Sequence, residues 1–139
     1  MAQPFPNHPN LRGGFAPLQM ECDVNDLVIE GEIPRELNGS FYRNGPNPQY
    51  APRGHYHWFG GDGMVHAFHI EDGRVAYRNR WVRTIKWQKE REAGRSLFSA
   101  FNPMDNDESV AGLETDGVAN TNIIWHGGKL LALEEGHAP

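Results

Sequence analysis

Two glycine-centred turns, each between apolar runs, constrain this chain more than any other feature. "MVHAFHI" (64–70) is followed by Glu71-Asp72-Gly73 and then by "RVAYRNRWVRT". "NTNIIWH" and "KLLALEE" flank Gly127-Gly128 in the same way. Glycine supplies the positive φ that a tight hairpin needs, so both stretches read as antiparallel β-hairpins. In the first return strand Val75, Tyr77, Asn79 and Trp81 share a face, and Arg74, Arg78 and Arg80 lie mostly on the other. No helix-period stripe of useful length is present, and Glu90 to Leu97 reads as a short helix or a loop. With 16 glycines, 10 prolines and 11% aromatic residues, the chain is all-β, built of short strands and many turns.

The remainder is punctuation and short extended pieces. Residues 1–20 form an irregular arm carrying Pro4, Pro6, Pro9 and Pro17, which needs a surface to lie along. Leu27 to Ile29 is extended, "PRELNG" reads as one helical or 3₁₀ turn ended by Gly39, and "SFYR" is a short strand. "NGPNPQYAPRG" reads as turn throughout. No repeat is visible within 139 residues, although a four-stranded meander is one propeller blade and its repeat would lie beyond this length.

Charge and cysteine use exclude several classes. A net charge of −5 disfavours a nucleic-acid footprint, and the one basic run, Arg74 to Arg95, is broken by Glu90 and Glu92. The single Cys22 forms no disulfide framework, which fits a cytoplasmic location. It sits among acids rather than beside a cation or base, which makes it a poor nucleophile candidate. The N-terminus has no signal-peptide pattern, and no run approaches the ~18 apolar residues of a spanning helix. Peripheral membrane contact stays open.

"HYHWFGGDGMVHAFHI" (55–70) contains four histidines. On a strand His55 and His57 face the same way, whereas His66 and His69, three apart, face opposite ways. A four-histidine metal site is therefore not expected, and a two-histidine remnant needs further ligands. Packed or solvent-facing strand histidines are the simpler reading, and no metal ligand is assigned. Gly60, Gly61 and Gly63 lack the spacing and following helix of a phosphate loop and read as turn glycines.

Four collinear stretches carry a resemblance: "GEIPRELNGSFYRNGPNP", "HWFGGDGMVHAF", "GRVAYRNRWVRT" and "ANTNIIWHGGKLLALEEG". From about Leu27 onward the chain resembles the carotenoid cleavage oxygenases. The resemblance implies a seven-bladed β-propeller with one non-haem Fe(2+) held by four histidines from separate blades. It also implies cleavage of a conjugated carbon–carbon double bond by O2 into two carbonyl products. The family's iron ligands all lie past the point corresponding to Pro139. Residues 21–139 thus read as the truncated first blades of a propeller, inactive alone. Such a piece is expected to expose the Ile123–Trp125 edge and the apolar faces of Val65, Phe68, Val75 and Trp81, to leave the arm nothing to lie on, and to fold poorly.

The same resemblance places Glu135 where a glutamate bonds the outer nitrogen of an iron-ligating histidine, fixing its tautomer. Glu134 points the other way or toward the substrate tunnel. In the stilbene-cleaving branch a Tyr and a Lys surround the substrate phenol, and those positions correspond to Phe101 and Glu134. Phe59 corresponds to an aromatic that packs on substrate. The expected substrate is a hydrophobic polyene, a carotenoid or apocarotenoid. The alternative is a lignostilbene or resveratrol-type stilbene, toward which the arm and "KWQKEREAG" point. A reading of another class is a non-catalytic β-domain that binds a ligand or partner.

Overall fold

The computed structural model describes residues 3–115 and 117–139. Strands β1 (Asp23–Val24), β2 (Gly39–Pro46), β3 (Gly63–Glu71) and β4 (Arg74–Trp81) form one antiparallel sheet in the order β1-β4-β3-β2. Helix α1 (Ile85–Ala93) follows, and β5 (Asn122–His126) pairs with β6 (Lys129–Leu133) in a second, two-stranded sheet. Both hairpin turns are of the expected kind. Asp72 and Gly73 have φ of 46° and 75°, and Gly127 and Gly128 have φ of 56° and 77°, the handedness that matches strand twist.

Asn79 explains why β1 joins the sheet. Fully buried at 0% exposure, its Nδ2 donates to the Met20 carbonyl at 2.8 Å and its Oδ1 accepts from the Cys22 amide at 2.8 Å. A buried amide with both ends satisfied replaces part of the ladder the short strand cannot supply. On the same face Met64, Trp81 and Trp87 pack with Leu18 into the main core. The Trp81 indole donates to the Asn47 carbonyl at 2.8 Å, so even the ring nitrogen is paired. A second cluster, Leu97, Phe98 and Val110, lies under the loop after α1.

Several expectations need correction. The arm is seated within the chain: Leu18 donates to Asn47 Oδ1 at 2.7 Å while Asn47 Nδ2 donates back to the Leu18 carbonyl at 2.8 Å. Leu11 is buried, and Phe15 meets Trp58 edge-on at 5.2 Å. Val75 and Trp81 are buried rather than exposed, while Val65 and Phe68 are half-buried. On β5 the expected exposure holds for Ile124 and Trp125, at 41% and 70%, while Ile123 is half-buried.

Strand β2 runs on through Asn44 and Gly45 to Pro46, at the strand end where a missing N–H is tolerated. The extended piece at 27–29 is not a strand, and Val28 is almost wholly exposed. Helix α1 starts earlier than expected and β4 stops earlier. Thr84 caps the helix by accepting from the Trp87 amide at 3.1 Å, and Gly94 ends it in the left-handed region at φ 68°.

Candidate functional site

Phe59, Phe101, Glu134 and Glu135 come from three separate segments, and all four line one cavity of about 740 Å³. Phe59 sits on the helical turn Trp58–Gly60, whose first amides would otherwise be unpaired. His57 caps it: its Nδ1 accepts from the Phe59 amide at 3.1 Å. The Phe59 carbonyl accepts from Asn120 Nδ2 at 2.7 Å, which ties the turn to the segment before β5. Phe101 arrives on the loop after α1. The His57 ring lies edge-on between the two phenylalanines, with centroids 4.8 Å from Phe59 and 5.3 Å from Phe101. Phe59 and Phe101 are 60% and 63% exposed, so this wall offers apolar surface to the cavity.

Glu134 and Glu135 follow directly on β6 and line the same cavity. The Glu134 carboxylate accepts from the amides of Val118 and Ala119, at 2.5 and 3.2 Å, and also pairs with His137. Partial burial alone would raise its pKa, but the Val118 amide, His137 and the Ala119 amide outweigh that and hold it below the usual glutamate range. Glu134 is therefore a charged strap on the 117–119 segment, with its acceptor capacity largely used. Gly117 makes the strap feasible: it has φ 77°, and a Cβ there would sit 2.2 Å from the Glu134 carboxyl carbon. Glu135 is exposed and, among the described residues, makes no hydrogen bond, so its carboxylate is free to accept one.

The four histidines of 55–70 do not converge. His57 serves as the cap just described. His66 Nδ1 is hydrogen-bonded to the Tyr77 hydroxyl at 2.7 Å, and burial, aided by the Arg43 charge, lowers its pKa and keeps it neutral. His69, on the other face of β3, is hydrogen-bonded to the Ser40 hydroxyl at 3.0 Å. Among the described residues no group of three or more His, Cys, Asp or Glu is placed to hold a metal ion. Among the described residues no helix is long and apolar enough to cross a membrane.

Sequence reasoning missed the capping role of His57, and it missed Asn120, His137 and the buried Lys86 that lines the cavity. Only Lys86 carried a local signal, an i,i+4 pairing with Glu90, and that spacing is common on exposed helices.

Known proteins resemble this chain along most of its length. The family model described as retinal pigment epithelial membrane protein (RPE65) matches residues 15–139. Isoeugenol monooxygenase of Pseudomonas nitroreducens is 47% identical over 140 residues, covering 100% of this chain and 29% of that protein. The crystal structure of Pseudomonas brassicacearum lignostilbene dioxygenase superposes with a TM-score of 0.88 at 42% identity, covering 96% of this chain and 28% of that one. A variant of Synechocystis apocarotenoid oxygenase gives a TM-score of 0.74 at 35% identity, covering 88% and 27%. The chain thus spans under a third of the length of the relatives it matches. Its two sheets correspond to the opening part of a carotenoid-oxygenase β-propeller, the fold class expected from the sequence. The chain belongs to the RPE65, or carotenoid oxygenase, family.

Proposed function

We propose that the protein carrying this chain is an Fe(2+)-dependent dioxygenase that cleaves a conjugated carbon–carbon double bond with O2 into two carbonyl products. The observation that carries the reading is the cavity itself, which Phe59 and Phe101 line together with Glu134 and Glu135, the two residues that follow β6. This chain furnishes part of the substrate wall, and the iron is held by histidines outside it. Bound iron would supply the oxygen chemistry. The chain's own residues exclude water and orient the alkene between flat apolar surfaces. Glu135, with its unbonded carboxylate, suits a partner that accepts a hydrogen bond from a ligating imidazole.

The proposed substrate has no free phenol at the Phe101 end. Phe101 has no polar atom, and Glu134 is occupied by two amides and His137, so neither presents a donor to a phenol oxygen. An apocarotenoid fits that wall. A second reading, cleavage of a stilbene or propenylbenzene, is supported by the identity and TM-score to the isoeugenol and lignostilbene oxygenases.

A substrate panel separates the two. The full-length iron-loaded protein is incubated with an apocarotenal, a 4-hydroxystilbene and its 4-methoxy analogue, and aldehyde products are measured. The expected outcome is turnover of the apocarotenal, with the methoxy stilbene preferred over the phenol. Preference for the 4-hydroxystilbene would favour the second reading, and no cleavage of any would remove the enzyme reading.

A further inference from the structure

At the cavity wall Lys86 is buried together with two carboxylates. Lys86, on the first turn of α1, is 8% exposed; Asp62 is 2% and Glu90 is 1% exposed. Lys86 Nζ donates to Asp62 Oδ1 at 2.6 Å and to Glu90 Oε2 at 2.9 Å. Burial works against the ammonium, but Asp62 and Glu90 beside it outweigh that and raise the lysine pKa.

Such a cluster is costly to desolvate, and well-packed apolar residues of similar size would serve a plain core as well or better. Its remaining bonds show what it holds. Glu90 Oε1 accepts from the amides of Leu97 and Phe98, at 2.9 and 3.1 Å, and from the Ser96 hydroxyl at 3.2 Å. That is the loop that delivers Phe101. Asp62 Oδ2 accepts from the Gln49 amide at 3.0 Å, and the Asp62 carbonyl accepts from the Asn47 amide at 2.7 Å. Asp62 stands three residues after Phe59 and ties the end of that turn to residues 47–49. One ammonium therefore joins the two segments that carry the aromatic wall. They already touch above it: a Cβ on Gly60 would stand 2.2 Å from the Ala100 Cβ.

We propose that Lys86 is a positioning residue that clamps the Phe59 turn to the Phe101 loop and so sets the width of substrate the cavity accepts. The width claim rests on the reading given under Proposed function. The clamp itself does not, because it is a statement about two loops and can be read without substrate.

The test uses the full-length iron-loaded protein with Lys86→Met, which keeps the length and removes the charge. Lys86→Arg is the conservative variant. Glu90→Gln is a second variant, retaining an acceptor for the loop amides while weakening the hold on Lys86. Displacing a wall by an ångström costs on the order of 100-fold in productive alignment, so kcat/KM should fall at least about tenfold. The ratio of kcat/KM for a slim stilbene to that for a ring-ended apocarotenal should shift in Lys86→Met and Glu90→Gln, and Lys86→Arg should restore part of it.

In parallel, hydrogen exchange at the Leu97 and Phe98 amides should accelerate about tenfold or more in Lys86→Met, with the β3–β4 hairpin unchanged as the internal control. A wild-type protein that cleaves no alkene would sink the function reading alone, leaving amide exchange to decide the clamp. Folded Lys86→Met protein with wild-type amide exchange would overturn the clamp. Wild-type substrate ratios in Lys86→Met and Glu90→Gln would overturn the width claim.

Discussion

Gly63→Ala is expected to destabilise the protein by ~3 kcal/mol or more, whereas Gly14→Ala should change stability by less than ~0.5 kcal/mol. Gly63 opens β3 where the second sheet's segment crosses the first. Its amide donates to the Val118 carbonyl at 2.7 Å. A Cβ there would stand 2.2 Å from the Ala119 carbonyl oxygen and 2.8 Å from that of Val118. These are backbone atoms, so no side chain can swing aside. Relief requires breaking the Gly63–Val118 bond and leaving a buried donor unpaired, which adds ~1–3 kcal/mol to the overpacking cost. Ala119 has little slack, already sitting at φ 49° and strapped by Glu134. At Gly14 a methyl group would meet nothing within 4 Å, and the backbone there has no positive φ. Thermal unfolding followed by circular dichroism makes the comparison, and equal midpoints for the two variants would show that the sheets do not meet as described.

Glu135→Gln in the full-length protein is expected to lower iron retention or turnover 10–100-fold, the usual cost of losing a carboxylate behind a metal-ligating histidine. Glu134→Gln should show a different defect. It loses the charge that draws the Val118 and Ala119 amides and His137, so the 117–119 segment should loosen and stability fall by ~1–2 kcal/mol, with iron content kept. Elemental analysis after desalting and thermal unfolding separate the two effects. Equal small losses from both changes would mean the supporting carboxylate lies elsewhere.

The hairpins were legible because their turns need a positive φ and Asp-Gly and Gly-Gly supply it at each spot. The start of α1 was not. Trp81, Val82 and Thr84 extend an alternating pattern that reads as strand, and the capping hydroxyl of Thr84 declares itself only once the Trp87 amide lies above it. Seating of the arm depends on Asn47, 29 positions away from Leu18, and joining of β1 depends on Asn79, 57 positions from Cys22. Neither partnership has a local signature. Phe59, Phe101, Glu134 and Glu135 were reached through family resemblance, since no spacing rule relates residues on three separate segments. Lys86 was hidden for a simpler reason: a lysine in a charged helix is ordinarily a solvated residue, and its burial becomes visible only with Asp62 and Glu90 around it.

The most direct test of the division of labour, with this chain forming a substrate wall and the iron held outside it, is the iron content of a full-length protein in which His55, His57, His66 and His69 are all changed to Gln. After anaerobic Fe(II) loading and desalting, the expected result is a full equivalent of iron, as in the unaltered protein. Loss of that iron from a variant whose circular dichroism is unchanged would contradict it, and would place the metal among the histidines of residues 55–70.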